Sequence, residues 1–162
     1  MQPICAAARR RRLPVVLDGD RRTVENDPLF RLATHVIFSS QCLRETTGTA
    51  DLAEGLKRIA CNTDAFIAVS NGPEDILYLE GDAVRHLPVL SIAAVDTVGA
   101  GDALHGGFAL ALADGQSEVE AMRFGAAVAG IKCTRLGGSA GTPKRSEVEA
   151  LIAENRLSTP VP

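Results

Sequence analysis

Short apolar runs alternating with capped, amphipathic segments predict an α/β fold, a mostly parallel sheet covered by helices. Three observations carry this expectation. The chain has 162 residues, 46% of them apolar, enough for one domain with a hydrophobic core. Aromatic residues make up 4% and Trp is absent, so the core is aliphatic, which suits close packing of helices on a sheet. A glycine-bearing turn, Asp96-Thr97-Val98-Gly99-Ala100-Gly101-Asp102, leads into a helix late in the chain.

The elements follow in order. Residues 1–22 carry six Arg against two Asp, net +4, which leaves −7 for the rest of a chain whose total is −3. Without interleaved aromatics, Arg9 to Arg12 read as a solvated helix end rather than a nucleic-acid surface. Strands are expected at Leu13–Leu17, His35–Ser39 and Ala65–Ser70, apolar runs whose polar ends suit buried strands opening on a site. Ile76–Glu80 and Ala83–Leu87, joined by Gly81-Asp82, form a hairpin, and Leu90–Val95 is a strand entering the glycine turn. A helix over Asp51–Ala60 places Leu52, Leu56 and Ile59 on one face. Another starts at Asp102, turns Leu104, Phe108, Ala111 and Leu112 inward, and stops at Asp114-Gly115. Gly106 and Gly107 inside it imply close packing against that face. Ser117 with Glu120, and Ser146 with Glu149, form capping boxes before the last two helices.

The cysteines, Cys5, Cys42, Cys61 and Cys133, have no C-x-x-C spacing and no His cluster, which argues against a zinc site or a disulfide framework. They read as reduced core residues. The basic run follows only a short apolar stretch, the reverse of a signal peptide, and no run of 18 apolar residues occurs. A soluble, cytoplasmic protein with no membrane partner is expected.

Gly99 and Gly101 allow backbone conformations closed to residues with a Cβ, so successive N–H groups can converge on an anion at the positive end of the following helix. A carboxylate at a helix start is ordinarily a cap or dipole partner. Ser, Thr or Asn would cap without repelling an anion, so Asp102 reads as a base positioned to take a proton from an attacking hydroxyl. A Walker A loop is excluded, because no Lys follows Gly106. A dinucleotide fingerprint starting at Gly99 fails at its third glycine, which is Leu104, and the turn lies outside a first βαβ unit. An NAD-dependent oxidoreductase is therefore the weakest of the readings.

The run from Val95 to Phe108 resembles the C-terminal D-T-x-G-A-G-D signature of the ribokinase-like, or PfkB, carbohydrate kinases, departing only at Leu104, where that family usually has Phe. The resemblance implies a three-layer α/β/α, Rossmann-like fold and phosphoryl transfer from ATP to a sugar hydroxyl. It also implies Asp102 as general base, the amides of Gly99, Ala100 and Gly101 as anion hole, and Asp96 and Thr97 as support for the turn. Asp18-Gly19-Asp20-Arg21-Arg22 is similar to the family's D-x-[ND]-x-R element, which puts Asp18, Asp20 and Arg22 on the phosphate or substrate side; a solvated turn explains them equally well. Val69 to Asp75 resembles the T-x-G-x-x-G loop beside the nucleotide, with Ser70 for Thr, Gly72 retained and Asp75 for the second Gly. Cys133 to Pro143 matches a glycine-rich loop carrying Gly137 and Gly138, which a plain helix-ending loop would also explain. Ala126 stands where many relatives have Asn or Ser. The Asn and Glu of the N-x-x-E element are absent around Ser39 to Leu43, so no metal ligand is assigned. His105 and Tyr78 read as structural.

The resemblance implies ATP and Mg²⁺ as cofactors, and some members bind a monovalent cation between the glycine-rich loop and the strand before the D-T-x-G turn. It covers only the C-terminal nucleotide-binding and catalytic part of the family fold, over 1–156 with a tail at 157–162. The N-terminal part and its β lid, which carry most sugar contacts, are absent from this sequence. The substrate is therefore left open within the sugars and nucleosides. Two functions compete: a sugar kinase, and a non-catalytic nucleotide-binding module that needs a partner chain. An uncovered sheet edge is expected to drive self-association or pairing with a complementary chain.

Overall fold

In the computed structural model, which describes residues 2–158, the chain divides between Pro88 and Val89 into two units. The first runs α1 (Gln2–Arg10), β1 (Val16–Gly19), α2 (Pro28–Leu32), β2 (His35–Ser39), α3 (Ser40–Thr47), α4 (Leu52–Ala60), β3 (Phe66–Asn71), β4 (Glu74–Glu80) and β5 (Ala83–Leu87). The strands lie in the order β1-β2-β3-β4-β5. The pairs β1/β2 and β2/β3 are parallel, β3/β4 and β4/β5 antiparallel. Only β4 is reversed, so the sheet is mixed and mostly parallel.

Strand β2 shows why the pattern works. Its first four residues, His35, Val36, Ile37 and Phe38, are all buried, as befits a strand with a neighbour on each side and packing on both faces. Phe38 meets Phe30 edge to face at 5.6 Å between centroids. A Cβ at Gly19 would stand 2.6 Å from Phe38 Cδ1, so β1 reaches its register beside β2 only with glycine there. Asp51 caps α4 by accepting from the amides of Ala53 and Glu54, and the helix buries Leu52, Leu56 and Ile59 as its spacing requires.

The second unit is helical: α5 (Ala100–Ala113), α6 (Glu118–Cys133), a 3₁₀ turn (Ser139–Gly141) and α7 (Arg145–Ser158). Ser117 accepts from the Glu120 amide to start α6. Helices α5 and α6 press together at two glycines. A Cβ on Gly125 would lie 2.6 Å from the Leu104 carbonyl, and one on Gly107 would lie 2.9 Å from Val128 Cγ2. The close approach expected of the α5 glycines thus holds at Gly107, whereas a Cβ on Gly106 would meet nothing within 4 Å. Among the described residues, no helix is long and apolar enough to cross a membrane.

Several expectations need correction. Strand β1 begins at Val16, not Leu13, because α1 ends in a tight turn. Arg12 adopts φ 57, the Leu13 amide returns to the Ala8 carbonyl, and Leu13 is 52% exposed. Leu90–Val95 forms no strand; among the described residues the regular elements of the second unit are all helical, and the amides of Val95 and Asp96 donate instead to the Cys133 carbonyl at 2.7 and 3.1 Å. Helix α5 starts at Ala100, two residues before Asp102. The capping box at Ser146 does not form: α7 opens at Arg145, and Glu147 reaches back to accept from the Lys144 amide at 2.7 Å. Of the cysteines, Cys42 and Cys133 are buried but Cys61 is exposed. Helix α7 continues to Ser158, into the tail expected at 157–162, and residues 159–162 lie outside the described residues.

Candidate functional site

The glycine turn is built around one carboxylate. Asp96 Oδ1 accepts from the Val98 amide at 2.9 Å and Oδ2 from the Gly137 amide at 2.9 Å. The Asp96 carbonyl accepts from Lys132 Nζ at 2.8 Å, and the same ammonium stands 3.5 Å from Oδ2. These donors hold the Asp96 carboxyl below its usual range, the Val98 amide first, then that of Gly137, with Lys132 adding to them. One side chain therefore joins the turn before α5 to the loop after α6.

From there the chain enters α5 with the first of its donors already engaged. The Ala100 amide bonds to the Thr97 carbonyl at 3.1 Å. Gly99 then takes φ 77, a left-handed conformation, and begins the helix without a side-chain cap. The first amides of a helix have no intrahelical acceptor, and here the positive end of a 14-residue helix is left available to an anion. Gly99 has no side chain to cap this end, and Asp102 is the acidic residue of the first turn, where the helix dipole favours a negative charge.

Asp102 is exposed, at the wall of a cleft of about 440 Å³ shared with Gly99, Gly106, Gly138 and Ser139. A Cβ placed on Gly99 would lie 3.9 Å from Asp102 Oδ2 and 3.8 Å from Gly138 Cα. The carboxylate, the αL turn and the second glycine loop thus converge. Asp102, Gly106 and Leu110 follow each other along one face of α5, and all three line the cleft with Phe124, Pro143 and Arg145. The guanidinium of Arg145 lies 5.7 Å from the Phe124 ring centroid and pairs with Asp114 at 2.6 Å. His105 Nδ1 is 2.8 Å from the Gly101 carbonyl, one turn back along the helix.

Of the residues singled out in the sequence, Asp96, Thr97, Gly99, Ala100, Gly101, Asp102, Gly137 and Gly138 come together in the second unit. The others belong to the first. Gly72, at φ 62, sits with Pro73 in the tight connection between β3 and β4, and the Ser70 hydroxyl donates to the Phe38 carbonyl at 3.3 Å. Asp18 lies in β1 opposite Ile37, and Asp20 and Arg22 are exposed after it. Among the described residues no group of three or more His, Cys, Asp or Glu side chains could hold a metal ion.

Lys132 escaped the sequence reading. Its signal was position: Gly125 and Val128 are buried on α6, and Lys132 continues that face at a seven-residue spacing from Gly125, where an apolar residue belongs. A charged residue at a core position is rare unless paired.

The family model for pfkB carbohydrate kinases matches residues 2–145. Ribokinase of Lactococcus lactis is 31% identical over 92 residues, covering 57% of this chain and 31% of that protein. Among solved structures, a protein of Agrobacterium tumefaciens assigned as a ribokinase is 35% identical with a TM-score of 0.89, covering 97% of this chain and 52% of that one. Arabidopsis thaliana ribokinase in complex with ribose and ATP is 25% identical with a TM-score of 0.80, covering 92% and 50%. The ribokinase-like α/β fold expected from the sequence is borne out, and the chain spans about half the length of these two structures.

Proposed function

This chain belongs to the pfkB family of carbohydrate kinases, and from that premise we propose that it transfers a phosphoryl group from ATP to a sugar hydroxyl. The observation that carries the proposal is the meeting of Asp102, the uncapped start of α5 and Gly138 on one cleft. The amides of Gly99 and Gly101, joined by that of Ala100 once it gives up the Thr97 carbonyl, receive the charge of the migrating phosphoryl group, in the manner of an oxyanion hole. The Asp102 carboxylate takes the hydroxyl proton as the sugar oxygen bonds to the γ-phosphorus and the bond to ADP breaks. A base so positioned contributes roughly 10² to 10⁴ in rate.

Asp96 and Thr97 support the turn, and Ser70, Gly72, Gly137 and Gly138 serve the nucleotide. Asp18, Asp20 and Arg22 serve the phosphate or substrate side. Magnesium in phosphoryl-transfer sites is commonly held by one or two carboxylates together with substrate phosphates, so it requires no cluster of protein ligands. Ribose and ATP in the Arabidopsis relative support a small sugar and a nucleotide as the pair of substrates. The four free cysteines accord with a reducing, cytoplasmic setting.

A second reading, a nucleotide-binding module that acts with a complementary chain or a second copy, draws on two observations. Asp102 is exposed, and β1 is paired on one side only among the described residues, leaving an edge that invites pairing.

The test is ATP titration followed by turnover over a panel of sugars and nucleosides, with Asp102→Asn as control. The kinase reading expects turnover that the substitution abolishes while ATP affinity is retained; equal turnover in the variant contradicts it. ATP binding without turnover, with light scattering that reports a dimer, identifies the second reading.

A further inference from the structure

We infer that the ammonium of Lys132 is a built-in monovalent cation, tethered to α6, which fixes Asp96 and through it both glycine turns of the phosphate site. Lys132 is wholly buried, with none of its surface exposed. Its Nζ meets the Asp96 carbonyl at 2.8 Å and stands 3.5 Å from the carboxylate. A buried ammonium without such partners would be strongly disfavoured. Lys132 also lies in the last turn of α6, where the negative end of the helix favours a cation.

The arrangement has two consequences for the site. The Asp96 carboxylate that holds the Val98 and Gly137 amides sits close to a turn meant for a polyphosphate, and the ammonium offsets its charge. The same ammonium occupies the position beside the Asp96 carbonyl and carboxylate that a dissolved monovalent cation would seek. A free cation therefore does not fit at Asp96, and the chain carries its own. Lys132 is a positioning residue: it acts through Asp96 and touches neither nucleotide nor sugar. Its effect on ATP rests on the kinase reading, whereas the cation site itself does not.

The test uses the full chain in a tetramethylammonium buffer free of alkali cations, comparing wild type with Lys132→Met. Wild type is expected to bind ATP and to melt identically with or without added potassium or ammonium. The variant is expected to bind ATP at least about tenfold more weakly, and to regain both affinity and melting temperature on addition of ammonium or methylammonium, because a ligand that binds only the folded site raises stability by mass action. A double variant, Asp96→Asn with Lys132→Met, removes the unpaired carboxylate, so it is expected to fold even where the single variant does not, and to show no response to ammonium. Wild type that needs potassium for ATP binding, a folded Lys132→Met indifferent to amines, or a double variant that responds to ammonium overturns the inference. If wild type binds no ATP under any condition, the kinase reading fails, and the melting curves alone decide on the tethered cation.

Discussion

The two units of this protein solve different problems with different materials. The first is a sheet unit organised by a dry cluster in which Phe38, Leu43, Leu56 and Ile59 are fully buried, and its elements are fixed by the periodicity of apolar side chains. The second is a helical unit whose most consequential contacts are polar: one carboxylate, Asp96, accepting from two amides and facing a buried ammonium. Apolar packing tolerates changes of shape better than changes of volume, whereas a polar cluster fails once a single partner is removed. Apolar packing thus fixes the elements of the first unit, whereas in the second, whose helices also bury Phe108 and Met122, polar ties fix the geometry of the site.

The largest effect is expected where volume is lost from the dry cluster. Leu56→Ala should lower stability by about 2–5 kcal/mol, read as a shift in the denaturant midpoint. If the division of labour is right, the same variant, below its midpoint, leaves nucleotide affinity unchanged within error. A matching loss of affinity would show that the site depends on the first core as well.

Acid should expose the weakness of the second unit. Asp96 is held below its usual range by the Val98 and Gly137 amides and by Lys132, so its contribution is complete above the unfolded carboxyl value and declines as pH falls toward and through the depressed folded one. Melting temperature followed from neutral pH downward should therefore drop in wild type more than in Asp96→Asn, whose baseline is lower but flatter. Parallel curves would remove Asp96 from the acid response.

The mildest change sharpens the contrast between packing and site. At Gly106 a Cβ meets nothing within 4 Å, yet the residue lines the cleft. Gly106→Ala should raise helix stability by about 1 kcal/mol while narrowing the nucleotide's space, so thermal stability and ATP affinity are expected to move in opposite directions. A gain in both would show that the nucleotide lies elsewhere.

Legibility in the sequence followed the same division. Strands β2 and β5 appear at the expected bounds, and α4 and α6 start from Asp51 and Ser117 as their caps require, because periodicity and capping are local signals. Helix α3 was not anticipated, since only Cys42, Leu43 and Thr47 are buried in it and so few inward residues make no visible period; Ser39 starts it by accepting from the Cys42 amide. The apolar run Leu90–Val95 looked like a strand because composition records propensity, not the presence of a partner, and its last amide was taken by the Cys133 carbonyl. At the site, the glycine turn was readable because its chemistry is contiguous. The tie from Asp96 to Gly137 spans 41 positions and that to Lys132 spans 36, and such links are invisible to any local pattern.

The central claim is that the start of α5 receives a phosphate chain beside Asp102. It is tested most directly by titrating the isotopically labelled protein with ATP and following backbone amide resonances. The account predicts the largest shifts at Gly99, Ala100, Gly101 and Gly138, with smaller ones along the cleft face of α5. Saturable binding that leaves those four amides unmoved and shifts residues of the first unit alone would contradict it.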